Sequence, residues 1–114
     1  MTGNLPPLIA AFVEAKNAYD SNAFAACFTE DAVVYDEGRE MVGPAAIKEW
    51  NEASNRKYQD TLTVLELVEF SDETVLTAQV AGNFVGSPVS LDFHLAIRAG
   101  KISRLAIDFT GDQA

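Results

Sequence analysis

Apolar residues recur three and four apart from Leu8 and Ile9 through Phe12 to Tyr19, behind a Pro6-Pro7 start, and this spacing predicts a first amphipathic helix over 7–19. Asp20-Ser21-Asn22 supplies turn and cap chemistry, after which Phe24, Cys27 and Phe28 mark a short second helix ending at an acidic turn, Thr29-Glu30-Asp31. The β-branched run Ala32-Val33-Val34-Tyr35 then reads as a strand that ends on two carboxylates, Asp36 and Glu37. Gly38 breaks it, Arg39 to Val42 reads as a second short strand, and Gly43-Pro44 opens a third helix running to about Lys57 with Ile47 and Trp50 on its apolar side. Beyond Thr61 the period changes from helical to two. Segments 62–70, 74–84, 89–97 and 102–109 read as four strands joined by Ser71-Asp72-Glu73, Gly86-Ser87-Pro88 and Ala99-Gly100. Links this short imply an antiparallel meander. The expected architecture is α+β, a cone-shaped, curved, mostly antiparallel sheet with three helices in the N-terminal half enclosing a pocket, and residues 1–114 form a single domain.

Alternation also assigns faces. Val89, Leu91, Phe93, Leu95 and Ile97 share one face of their strand and should point into the cone, leaving Ser90, Asp92, His94 and Arg98 on the outer face. In the last strand Leu105, Ile107 and Phe109 are out of phase with Ile102. A β-bulge near Ser103-Arg104 reconciles them and turns Arg104 and Asp108 outward; without a bulge, both would lie in the pocket. Three short helices cover only one face of such a sheet. Leu67, Val75 and Ala81 are then expected on the other, and a homodimer packed through that outer face is the expected assembly.

Composition narrows the partners. The chain has 17 acidic against 8 basic residues, a net charge of −9, which disfavours nucleic acid and anionic membrane surfaces because both demand a positive patch. No segment is apolar enough to insert in a bilayer or to serve as a secretory leader, so a cytoplasmic location is expected. A single cysteine, Cys27, permits no intramolecular disulfide, and with no basic neighbour to lower its pKa it reads as buried packing.

Candidate chemistry is sparse. His94 with Asp92 suggests an acid/base pair, but both fall on the outer face. One histidine and no cysteine cluster make a metal site a poor expectation, and no phosphate-binding glycine loop or nucleophile elbow is present; no cofactor is expected. Asp36 is the stronger candidate. A carboxylate at a strand end among Phe12, Phe28 and Trp50 would be desolvated, and its pKa raised toward that of a usable base.

The run Glu30-Asp31-Ala32-Val33-Val34, then Asp36, Gly43, Ala46-Ile47 and Trp50, resembles the nuclear transport factor 2-like superfamily, and within it the SnoaL-like and ketosteroid isomerase-like proteins. The resemblance extends from Leu8 to Phe109 in element order and length. It implies a cone-shaped pocket for a small apolar molecule, with Asp36 matching the general base of the ketosteroid isomerase-like branch. That branch's two proton donors match Phe12 and Phe93 here, so steroid isomerisation is not expected. Two readings remain open. In one, the protein is an isomerase- or cyclase-like enzyme acting on an apolar carbonyl compound, with Asp36 as base. Its expected lining is Phe12, Phe28, Val34 and Trp50 from the helical half, and Leu65, Val80, Phe93 and Phe109 from the sheet. In the other it is a non-catalytic binding or dimeric scaffold module whose aromatics are core.

Overall fold

The computed structural model describes residues 5–110. Three helices, α1 (Pro7–Asn17), α2 (Ser21–Ala25) and α3 (Pro44–Tyr58), precede or interrupt six strands, β1 (Phe28–Asp36), β2 (Arg39–Val42), β3 (Thr61–Glu69), β4 (Thr74–Ala81), β5 (Val89–Arg98) and β6 (Lys101–Phe109). Both longer helices start with proline at the first helical position, which has no amide to leave unpaired. The Asp20 carboxylate caps α2 by accepting from the Ala23 amide at 3.0 Å. At its far end α3 carries Arg56 and Lys57 against the negative pole of its dipole and stops at Gln59 in the left-handed region, φ 49°.

The strands form one sheet in the order β2-β1-β6-β5-β4-β3, antiparallel throughout except where β1 runs parallel to β6. Two hairpins close on two-residue turns with both central residues left-handed, Glu37-Gly38 (φ 52° and 75°) and Ala99-Gly100 (φ 53° and 78°), the geometry whose twist matches that of the flanking strands. The helices pack on the concave face, and the core between layers includes Ile9, Phe12, Phe24, Ile47, Leu76 and Leu95, each under 3 % exposed. Phe24 anchors an aromatic cluster, with ring centroids 5.2 Å from Phe12, 5.4 Å from Phe28 and 6.1 Å from Trp50.

The β-bulge in β6 is present. Ala96 pairs with Arg104 and Ile97 with Ile102, so Ser103 is the extra residue; Ile102 and Leu105 are both fully buried, and Arg104 and Asp108 are exposed. A second bulge lies at Leu65, where Val64 pairs with Ala78 and Glu66 with Thr77. It corrects two expectations. Leu65 stands 55 % exposed outside the cone, because Leu62 and Val64 already fill the inward positions before the phase slips. Leu67, opposite Leu76, is thereby returned to the inner face and packs on the core; Val75 and Ala81 stay on the outer one. The acidic turn is also corrected. Residues 28–31 are already strand: the Ile102 amide donates to the Cys27 carbonyl at 2.8 Å, Phe28 pairs with Ile102, and the pairing to β6 overrides the local turn chemistry. The Asp31 carboxylate instead accepts from Arg98 at 2.7 Å. That bond, first, and one from Thr29 hold its pKa below the ordinary aspartate value.

β4 stops at Ala81 rather than continuing to Phe84. Gly82 lies so close to the end of α3 that a Cβ there would be 2.6 Å from Asp60 Cβ and 2.7 Å from the Tyr58 carbonyl, and the strand edge gives way to a turn.

Candidate active-site cavity

The space between the helices and the open end of the sheet is a cavity of about 780 Å³. Strand alternation decides what faces it. Val34 and Asp36 point inward from β1; Val34 is completely buried, whereas Asp36, the last residue of the strand, reaches the cavity wall. Phe12 and Phe24 come from α1 and α2, Trp50 and Tyr58 from α3, and Val80, Leu91 and Phe93 from β4 and β5. Phe109 and Val85 line the mouth and are 72 % and 103 % exposed.

Among the residues expected to line the pocket, the structure brings Phe12, Asp36, Trp50, Val80, Phe93 and Phe109 together on this wall. Phe28 and Val34 are not part of it: Phe28 packs edge-on to Phe12 with centroids 6.4 Å apart, and both residues form the layer beneath. Leu65 faces away, for the reason given above.

Asp36 is half-buried. Loss of water around its carboxylate raises the pKa above the ordinary aspartate value, and the adjacent Glu37 charge adds to the rise; the Trp50 indole N–H and the Arg39 guanidinium act in the opposite direction without cancelling it. Arg39 is its cross-strand partner in the β1–β2 hairpin, so the tight Glu37-Gly38 turn fixes where both charged groups sit. A second groove of about 450 Å³, between β2 and α3, shares Asp36 and Trp50 with the main cavity, and the carboxylate therefore meets both spaces.

The cavity also has a polar rib that hydrophobic alternation does not signal. Lys16, 9 % exposed, donates at 2.8 Å to the Asp60 carboxylate and at 2.8 Å to Asn55 Oδ1. Lys16 and Asp60 both line the cavity. Asn51, 1 % exposed, also lines it, and its Nδ2 donates to Ser21 Oγ at 3.1 Å. The available clue is positional. Lys16 follows Phe12 by one turn on the stripe of α1 that faces the core, and Asn51 and Asn55 follow Ile47 at successive intervals of four on α3, where apolar residues would continue the stripe.

His94 and Asp92 lie on the outer face. His94 Nδ1 is 2.8 Å from Glu73 and its Nε2 3.6 Å from Asp108, while Asp92 accepts from Thr77 at 2.7 Å and Thr110 at 2.9 Å. The Cys27 thiol is buried, and its pKa is raised by that burial despite the Lys101 charge. Among the described residues no group of three or more His, Cys, Asp or Glu is placed to hold a metal ion, and no helix is long and apolar enough to cross a membrane.

A family model for the SnoaL-like domain matches residues 9–105. Among solved structures, a candidate polyketide cyclase from Sinorhizobium meliloti superposes with a TM-score of 0.90 at 33% identity, covering 95% of this chain and 99% of that one. A protein of ketosteroid isomerase-like fold from Catenulispora acidiphila, solved with trimethylamine, gives 0.83 at 21% identity over 91% and 85% of the two chains. A candidate polyketide cyclase from Pseudomonas putida gives 0.78 at 23% over 90% and 89%. No curated protein matches the chain.

Proposed function

We propose, for a chain that belongs to the SnoaL-like domain family, that the cavity binds a small, mostly apolar carbonyl compound and that Asp36 removes a proton from the carbon beside the carbonyl. One observation carries this reading: Asp36 stands on the wall of an aromatic-lined cavity, and loss of water raises the affinity of its carboxylate for a proton. A base must hold its charge at the working pH and still accept a proton readily, and partial burial moves Asp36 in that direction.

The chemistry follows from where the proton goes. Asp36 takes it and leaves an enolate. Returning it to the far carbon of an enolate conjugated with a C=C bond shifts that double bond and completes an isomerisation; attack of the enolate carbon on a second carbonyl of the same molecule forms a C–C bond, breaks the π bond of that carbonyl and closes a ring, the resulting alkoxide taking the proton back from Asp36. The Sinorhizobium meliloti neighbour, named as a candidate cyclase, supports the second course. Phe12 and Phe93 occupy the cavity where the ketosteroid isomerase-like branch carries proton donors, so an enolate here needs donors from elsewhere. The same two phenylalanines favour the other reading, a binding module of this fold without chemistry.

Deuterium exchange separates the two. In D2O the protein should accelerate loss of the α-protons of 2-tetralone, followed by NMR, and Asp36→Asn should abolish the acceleration while leaving ketone binding intact. Exchange at the buffer rate with bound ketone would leave only the binding module.

We also propose that two copies pair through the outer sheet face. Helices cover the concave side only, and Val33, Val68, Val75, Ala96 and Ala106 share the uncovered side with His94 and Asp92.

A further inference from the structure

Asn51 costs stability where it stands unless something uses it. It is 1 % exposed, it occupies a position on α3 where the spacing from Ile47 calls for an apolar residue, and only one end of its amide has a partner, Ser21 Oγ at 3.1 Å. Among the described residues no hydrogen bond reaches its other end, and the residue lines the cavity. Since the serine hydroxyl can donate or accept, the amide can present either its oxygen or its nitrogen to the cavity, and so can meet a hydroxyl or a carbonyl. One helical turn further on, Asn55 holds the Lys16 ammonium at 2.8 Å, which puts a second donor on the same side.

We propose that Asn51 is the hydrogen-bonding subsite that receives a neutral oxygen of the ligand, so that the cavity selects oxygenated apolar molecules over hydrocarbons of the same shape. This rests on the cavity being a ligand site, as proposed above, and not on Asp36 acting as a base. The oxygen is neutral because none of the described residues of the cavity rewards an anion. Lys16 is already neutralised by Asp60 at 2.8 Å, and at the hairpin end Asp36, Glu37 and Glu40 face a single Arg39. The subsite also answers the want of donors at Phe12 and Phe93. An amide N–H aimed at the ketone oxygen keeps its bond, and strengthens it, as charge develops there.

Trp50 is the sole tryptophan of the chain and lines the cavity, so its fluorescence reports binding without a label. The probes are 2-tetralone and tetralin, which share a bicyclic skeleton and differ by the oxygen. The intact protein should bind the ketone about tenfold more tightly than the hydrocarbon, the factor one satisfied buried hydrogen bond supplies. In Asn51→Leu, close in volume and without polar atoms, that preference should fall below about threefold while tetralin binds as well or better. A preference that survives Asn51→Leu overturns the proposal, and so does failure of 2-tetralone to bind the intact protein. Should the variant not fold, the Asn51 side-chain amide resonance of the intact protein must move on adding 2-tetralone and stay in place with tetralin; no shift with the ketone overturns it equally. The two readings fail separately. Loss of Asp36-dependent exchange with the ketone preference intact removes only the base, and an Asn51-independent preference with exchange intact removes only the subsite.

Discussion

The carboxylate of Asp36, proposed above as the base, also bears on stability. Its folded pKa is raised, so across the interval between the unfolded and the higher folded value the native state holds more of the proton, and stability falls as pH climbs through that interval. Asp36→Asn should therefore be as stable as the parent or more so at neutral pH, and the difference should vanish in acid, measured by urea denaturation at both conditions. The acid limb of the exchange reaction should show its midpoint above 3.8, the ordinary value for this side chain. Asp36 was legible in the sequence because a strand, a turn and a helix start leave it no other place. Lys16 and Asn51 were not, because a polar residue on an apolar stripe gives no sign of its partner; Asp60 and Ser21 are distant along the chain and meet them only in the fold. Lys16→Met should cost about 3–5 kcal/mol in thermal or urea unfolding by stranding the buried Asp60 charge. Adding Asp60→Asn should recover part of the loss.

Between elements, tight approaches and turns decide what the strands can carry. Gly82 leaves no space for a side chain against Asp60 and Tyr58, so Gly82→Ala should destabilise by about 1–3 kcal/mol, and more if the Lys16–Asp60 pair is displaced with it. Ala99 is held at φ 53° in the β5–β6 turn, a region asparagine tolerates better, and Ala99→Asn should raise the unfolding free energy by up to about 1 kcal/mol. Most strands, all three helices and the bulge at Ser103 could be read from periodicity, since Leu105, Ile107 and Phe109 are visibly out of phase with Ile102. The bulge at Leu65 could not. In the run Leu62-Thr63-Val64-Leu65-Glu66-Leu67 apolar residues stand in both phases, and only the pairing of Val64 with Ala78 and of Glu66 with Thr77 decides that Leu65 is the extra one. The start of β1 was hidden for a similar reason: Thr29-Glu30-Asp31 has turn chemistry, and the partner that makes it a strand lies at the far end of the chain.

For the whole molecule, sedimentation at micromolar concentration should show a species of twice 12.3 kDa, and a charged replacement at the centre of the outer face, Ala106→Glu, should return it to the monomer without loss of fold. A single 12.3 kDa species in the parent would remove the pairing. Placing β6 between β1 and β5 also fixes the order in which the molecule can form. The strand that carries Asp36 has only the four-residue β2 to pair with until the last strand has been made, so on the ribosome the β3–β4–β5 meander can assemble while β1 waits. Its closing contacts join residues near opposite ends of the chain, the separation that slows folding most. Stalled translation intermediates lacking residues beyond Gly100 should accordingly show protease-sensitive β1 even where β4 and β5 are protected, and the cavity should appear only when Ile102 and Leu105 come to lie against Phe28 and Val34.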